Sequence, residues 1–172
     1  MLKFITQHDQ MDCGPACLSM IASTYGKHYP LQYLRDNSYI TREGVSLSGI
    51  NEAARPIGFE TSAAKLSTEK LVEHFPSPCI LHWNQNHFVV LYKIKKKYFS
   101  GQYVFKIADS GHGIINLNEE DFKKAWLNDD QMGIALFLNP TDKFYELDPP
   151  KKDKLNFAYL LGFLTPYKKE IF

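Results

Sequence analysis

The apolar positions change rhythm about halfway along the chain. In the first half they recur at helical spacing. After Cys13-Gly14-Pro15 they fall at Ala16, Leu18, Met20, Ile21 and Tyr25, until Gly26 stops the run. Pro15 suits a first helical turn, where its missing N–H costs nothing. The stretch is apolar on nearly every side, so it predicts a central, buried helix. Shorter helices are expected over residues 31–36 and 47–55, the latter ended by Pro56 and Gly58. A strand over 59–65 follows, then a short helix capped by Ser67 or Thr68 that runs to Glu73.

Beyond Pro76 and Pro78 the runs become strand-like. Cys79-Ile80-Leu81-His82-Trp83 is one strand and Asn84-Gln85-Asn86 a turn. A second strand, His87-Phe88-Val89-Val90-Leu91-Tyr92-Lys93-Ile94, is rich in β-branched and aromatic residues. Lys95-Lys96-Lys97 with Ser100-Gly101 marks a solvated hairpin tip, and residues 103–108 return as a third strand. Gly111 and Gly113 turn the chain into a fourth over 114–117. Asn118 caps a helix reaching Trp126, and residues 133–138 form a final strand stopped by Asn139-Pro140. Helices first, then strands joined by hairpins, predict an α+β fold with an antiparallel sheet. Residues 1–140 read as one domain. Residues 141–172 read as a linker around Asp148-Pro149-Pro150-Lys151-Lys152 and a short apolar segment over 155–164.

Composition narrows the functional classes. A chain of 172 residues can bury a core without disulfides. A net charge of +1 makes no bulk electrostatic case for a nucleic-acid partner. Cys13, Cys17 and Cys79 are an odd number without framework spacing, which points to a reducing compartment. The N-terminus lacks a signal-peptide pattern, and no apolar run is long enough to span a bilayer.

Four residues stand out chemically. Cys13 opens the buried helix, whose N-terminal partial charge favours a thiolate, the attacking species in acyl transfer. Gly14 beside it is expected to let a substrate backbone approach. Gln7, six residues upstream, could share an oxyanion hole with the Cys13 N–H; Gln10 competes for that role. His87, at the start of the longest strand, could take the Cys13 proton. Asp109, at the end of the next strand, could accept the other ring N–H of His87. Each has an ordinary alternative: a core cysteine, a polar loop residue, a strand-edge histidine, a turn aspartate. His82 reads as a packing residue inside an apolar strand, and His112 is a second turn residue that stays open as a member of the site. Cys17 and Cys79 read as core. A zinc site from Cys13, Cys17, Cys79 and His82 is disfavoured, because Cys13 and Cys17 lie one turn apart on a buried helix rather than on a knuckle. No cofactor or metal is expected.

The stretch Gln7-His8-Asp9-Gln10-Met11-Asp12-Cys13-Gly14-Pro15-Ala16-Cys17-Leu18 resembles the N-terminal motif of the double-glycine leader peptidases. These are the cytosolic peptidase domains of bacteriocin- and peptide-processing ABC exporters. His87-Phe88-Val89-Val90-Leu91 is similar to the family's histidine motif, Ala108-Asp109 to its aspartate motif, and Gly44-Val45-Ser46 to the segment before the third helix. The resemblance covers roughly residues 1 to 138. It implies a papain-like fold, with Cys13 catalytic, His87 as base, Asp109 as orienter and Gln7 in the oxyanion hole. It implies removal of a leader after Gly-Gly or Gly-Ala, with the leader bound as an amphipathic helix in an apolar groove. The implied partners are a precursor's leader peptide and the exporter's transmembrane and nucleotide-binding domains. The implied location is the cytoplasmic face of a bacterial plasma membrane, for an excised domain or a stand-alone peptidase. Two features depart from the family pattern: Ser110 stands where proline often follows the aspartate, and residues 95–101 extend the hairpin. A leader-binding module without catalysis, or a papain-like amidase or transglutaminase, are the alternative readings.

Overall fold

The structure is a computed structural model that describes residues 2–38, 44–76 and 78–150, with the Gln10 side chain set apart. The apolar segment expected over 155–164 lies outside the described residues. Three helices come first: α1 (Cys13–Thr24), α2 (Leu31–Asp36) and α3 (Leu47–Ala54). Then follow β1 (Phe59–Leu66), α4 (Thr68–His74), β2 (Cys79–Trp83), β3 (His87–Lys96), β4 (Tyr103–Asp109), β5 (Gly113–Asn118), α5 (Glu119–Trp126), β6 (Gly133–Pro140) and α6 (Asp142–Glu146). The expected α+β class holds, and the sheet is antiparallel throughout.

Strand order in the sheet is β1-β6-β2-β3-β4-β5. The run β2 to β5 is the meander that the turns predict. The last strand departs from it: β6 inserts between β1 and β2, pairing Phe59 with Pro140 and Cys79 with Phe137. The central strands are covered on both faces, so they are apolar continuously rather than alternately. Ile80, Phe88, Val90, Ala108 and Leu136 pack against the buried side chains of α1 and α3. Cys79, Leu81, Val89, Leu91 and Ala135 point the other way, toward Phe122 and Trp126 of α5. This two-sided burial follows from the period-2 geometry of strands.

The packed body runs past the boundary expected at residue 140. Phe144 of α6 is fully buried, with its ring 4.5 Å from that of Phe59. The Thr141 N–H donates to the Gly58 carbonyl at 3.0 Å. Gly58 has φ +91, and a Cβ there would run into the Phe144 backbone. A five-residue helix carrying one buried aromatic gives too short a periodic signal to read from sequence.

Candidate active site

The Cys13 end of α1 is built by its own approach. One 3₁₀ turn (Gln10–Asp12) leads into the helix. Asp9 accepts from the Met11 N–H, and Asp12 Oδ2 accepts from the Asp9 N–H at 3.2 Å, a reciprocal capping box. Asp12 is buried and paired with Arg35 of α2: Nη1 lies 3.1 Å from Oδ1 and donates to Oδ2 at 3.2 Å. The Oδ1 contact is an ion pair without hydrogen-bond direction. Gly14 differs from expectation. Its face is filled, since a Cβ there would run into Val45 Cγ1 and lie 2.8 Å from Ile50 Cγ1. It serves helix packing, not substrate approach.

His87 opens β3 and Asp109 closes β4. Antiparallel pairing of these strands therefore sets both residues at one end of the sheet. His87 Nε2 bonds Asp109 Oδ1 at 2.9 Å, and the Gly111 N–H donates to the same oxygen at 2.9 Å. The Cys13 thiol is also near enough to the His87 ring to favour its charged form. With Nε2 engaged by Asp109, Nδ1 is the nitrogen left for sulfur. Burial disfavours the charged ring, but the hydrogen bond to Asp109 and the nearby Cys13 outweigh it and raise His87 to about 9. Burial likewise disfavours ionised Asp109, but hydrogen bonds from His87 and the Gly111 N–H hold it down at about 2. The arrangement thus keeps a carboxylate and an imidazolium beside one thiol. Burial pushes the thiols of Cys17 and Cys79 up, and both are inaccessible.

Gln7 reaches the same place from the N-terminal segment. Its backbone N–H donates to the Ser110 carbonyl at 3.1 Å, and Ser110 Oγ donates to its Oε1 at 2.6 Å. With its oxygen held, the Gln7 amide can present only its NH₂ to a ligand. Gly111 lies between the two groups: a Cβ there would be in ordinary contact with Gln7 Nε2 at 3.4 Å and Asp109 Oδ1 at 3.5 Å. The side chain of Gln10, the rival, lies outside the described residues.

An open cleft of about 380 Å³ lies alongside, lined by Val45, Leu47, Phe88, Ile134 and the polar groups of Ser46, His82, Gln85 and Asn86. Val45 also packs against Gly14, the residue after Cys13, and Asn86 and Phe88 flank His87 along the chain. His82 tilts against Phe88 with ring centroids 5.3 Å apart, and burial lowers its pKa. The turn before His87 holds Asn84 at φ 45 and Gln85 at φ 60, left-handed conformations that only local constraint maintains in non-glycine residues.

A family model for the peptidase C39 family matches residues 1–143. The chain belongs to that family. It is 35% identical over 140 residues to the colicin V secretion/processing ATP-binding protein of Escherichia coli, covering 81% of this chain and 18% of the relative. It is 34% identical over 149 residues to the lactococcin-G-processing and transport ATP-binding protein of Lactococcus lactis subsp. lactis, covering 84% and 20%. The chain therefore spans about a fifth of the length of these curated relatives. Its fold matches a double glycine motif protease from an AMS/PCAT transporter, solved with its leader peptide, at TM-score 0.73 and 33% identity, covering 82% of this chain and 93% of that one. It also matches the peptidase domain of Streptococcus ComA at TM-score 0.70 and 30% identity, covering 82% and 100%. The papain-like architecture of this C39 domain follows.

The structure brings Cys13, His87, Asp109 and Gln7 together. It adds residues to which the sequence reading gave no role. Ser110 holds Gln7, and His112 places Nδ1 3.0 Å from Asp109 Oδ2, while Arg35 anchors Asp12. The Asp9-x-x-Asp12 spacing was a legible capping signal, whereas the Arg35 and Ser110 contacts span 23 and 103 residues of chain. His87, Asp109 and His112 place three metal-competent atoms within 4.8 Å of one another, and all three already serve hydrogen bonds.

Proposed function

We propose that this domain is a cysteine endopeptidase that cleaves a leader from a secreted precursor peptide after a Gly-Gly or Gly-Ala pair. Cys13 is the nucleophile, His87 the base, Asp109 the orienter and Gln7 the oxyanion donor. The observation that carries the reading is the His87 Nε2 to Asp109 Oδ1 hydrogen bond at 2.9 Å, on a buried carboxylate, with the Cys13 thiol at a helix N-terminus close to the same ring. The Cys13 thiolate attacks the carbonyl carbon of the second glycine. The developing oxyanion is met by the Gln7 NH₂ and the backbone N–H of Cys13. Imidazolium His87 then gives its proton to the leaving amine as the C–N bond breaks, leaving a thioester on Cys13. Water, losing a proton to His87, hydrolyses the thioester and restores the thiolate–imidazolium pair. Asp109 keeps the ring turned toward sulfur throughout.

The apolar part of the cleft, Val45, Leu47, Phe88 and Ile134, suits the apolar face of a leader helix. A slot that admits no side chain at the scissile pair would select glycine sterically. The named relatives are processing, secretion and transport ATP-binding proteins. In keeping with the resemblance to exporter peptidases, the domain acts on the cytoplasmic face of a plasma membrane, tied to an exporter's transmembrane and nucleotide-binding domains.

The test is mass spectrometry of synthetic Gly-Gly leader peptides incubated with wild type and with Cys13→Ala. Cleavage after the glycine pair by wild type alone is expected. Binding without cleavage under reducing conditions would instead mean a leader-binding module. Turnover of a glutamine amide without peptide cleavage would mean an amidase or transglutaminase.

A further inference from the structure

The β3–β4 hairpin ends in a tip that the peptidase chemistry does not use. β2 stops pairing at Cys79, opposite Leu91, so residues 93–96 of β3 are paired with β4 alone. β5 stops at Asn118, opposite Val104. The turn beyond is closed by Lys97 N–H to Gln102 O at 2.8 Å and Gly101 N–H to Lys97 O at 2.9 Å, so it projects past both neighbours as an ordered finger. At its end Tyr98 is 94% and Phe99 99% exposed, the two most exposed large apolar side chains among the described residues. Their rings meet edge to face, 5.3 Å apart, and form one wedge.

Charge surrounds the wedge. Lys93, Lys95, Lys96 and Lys106 lie on the two strands and Lys97 in the turn, and no acidic residue occurs between Leu91 and Ala108. Lys96 Nζ sits 5.6 Å above the Tyr103 ring. Glu119 and Glu120 of α5, which follows β5 directly, are already paired with Lys123 and Lys124 at 2.7 Å each. The lysines of the tip therefore keep their charge for an outside partner.

We infer that this tip docks on an anionic lipid surface, with Tyr98 and Phe99 entering the headgroup region and the lysines meeting lipid phosphates. Aromatics flanked by lysines are the pattern of an interfacial anchor. A two-residue wedge on a narrow finger offers far less than the roughly 800 Å² per partner of a stable protein interface. A fluid headgroup layer imposes no such area. The geometry is compatible with turnover: His87 is at the opposite end of β3, roughly 30 Å away at the rise of an extended strand. A docked tip leaves His87 at the end of β3 remote from the bilayer. This inference does not depend on the peptidase reading, because its assay measures binding rather than cleavage.

The test is flotation of the whole chain with vesicles of phosphatidylcholine, with or without phosphatidylglycerol. Wild type is compared with a Lys95→Gln, Lys96→Gln, Lys97→Gln variant and with a Tyr98→Ser, Phe99→Ser variant. Residues 155–164 remain in all three, so differences report the tip. Wild type should float with anionic vesicles only and be released by high salt. The lysine variant should bind about a hundredfold more weakly, from about fivefold per lysine. The aromatic variant should lose about tenfold through lost apolar insertion. Cleavage of a soluble leader peptide should be unchanged in both. Equal wild-type binding to neutral and anionic vesicles overturns the inference, as does wild-type affinity in both variants. Tip-dependent binding to exporter-containing membranes, but not to protein-free vesicles, also overturns it in favour of a protein partner.

Discussion

Asp109→Asn should move the alkaline limit of activity down the pH scale. Burial of His87 opposes its protonation, yet the hydrogen bond it donates to Asp109, with Cys13 close by, carries it from 6.5 to about 9. At about 1.4 kcal/mol per pH unit, that gap favours the imidazolium by about 3 kcal/mol. Asparagine keeps an oxygen for His87 and for the Gly111 N–H but carries no charge. Cys13 supplies part of the lift, so the limit should fall by roughly one to two pH units rather than by the whole gap. The assay is kcat/KM on a Gly-Gly leader peptide from about pH 5 to about pH 10. At neutral pH the rate should drop about ten- to a hundredfold, because the ring remains hydrogen-bonded but loses its counter-charge. Stability should follow the same groups. His87 is raised on folding, so its contribution is complete below 6.5 and fades as pH climbs through about 9. Asp109 is lowered, so its contribution is present above 3.8 and fades as pH falls through about 2. The stability lost in Asp109→Asn should therefore be largest between 3.8 and 6.5 and shrink in alkali. A folded variant whose alkaline limit matches wild type would refute the reasoning.

Ser110→Ala should lower kcat roughly tenfold with KM nearly unchanged, because the Gln7 amide loses the donor that orients it; in a Gln7→Ala background it should cost nothing further, and additive losses would sink the positioning role. Iodoacetamide should label native protein at Cys13 alone, as read by peptide mapping. Cys17→Ala should keep its cleavage activity while losing about 1 kcal/mol of stability in urea titration, since its buried sulfur only packs. Gly58→Ala should lose about 3 kcal/mol in the same titration, because a side chain at φ +91 must displace α6; an unmoved midpoint would mean that Phe144 is not packed there.

The sequence by itself determined the elements and the principal chemical groups. Cys13-Gly14-Pro15 ahead of an apolar run specifies a buried helix with a thiol at its start, and strand runs separated by Asn and Gly turns specify the meander. These signals are local, spaced by the helical and strand repeats, so they survive without coordinates. His87 and Asp109 were legible for the same reason: each ends a strand of one hairpin, and a hairpin's register brings its open ends together. Tertiary structure decided what local rules cannot carry. Insertion of β6 between β1 and β2, and the docking of Phe144, are pairings across long stretches of chain, set by which apolar faces still needed cover. Gly14 was misread because only packing shows that Val45 and Ile50 occupy the space beside it. The grip of Ser110 on Gln7 and of Arg35 on Asp12 also appears only in space. Side-chain hydrogen bonds between distant segments leave no periodicity in sequence, and it is these bonds that orient the groups around the sulfur.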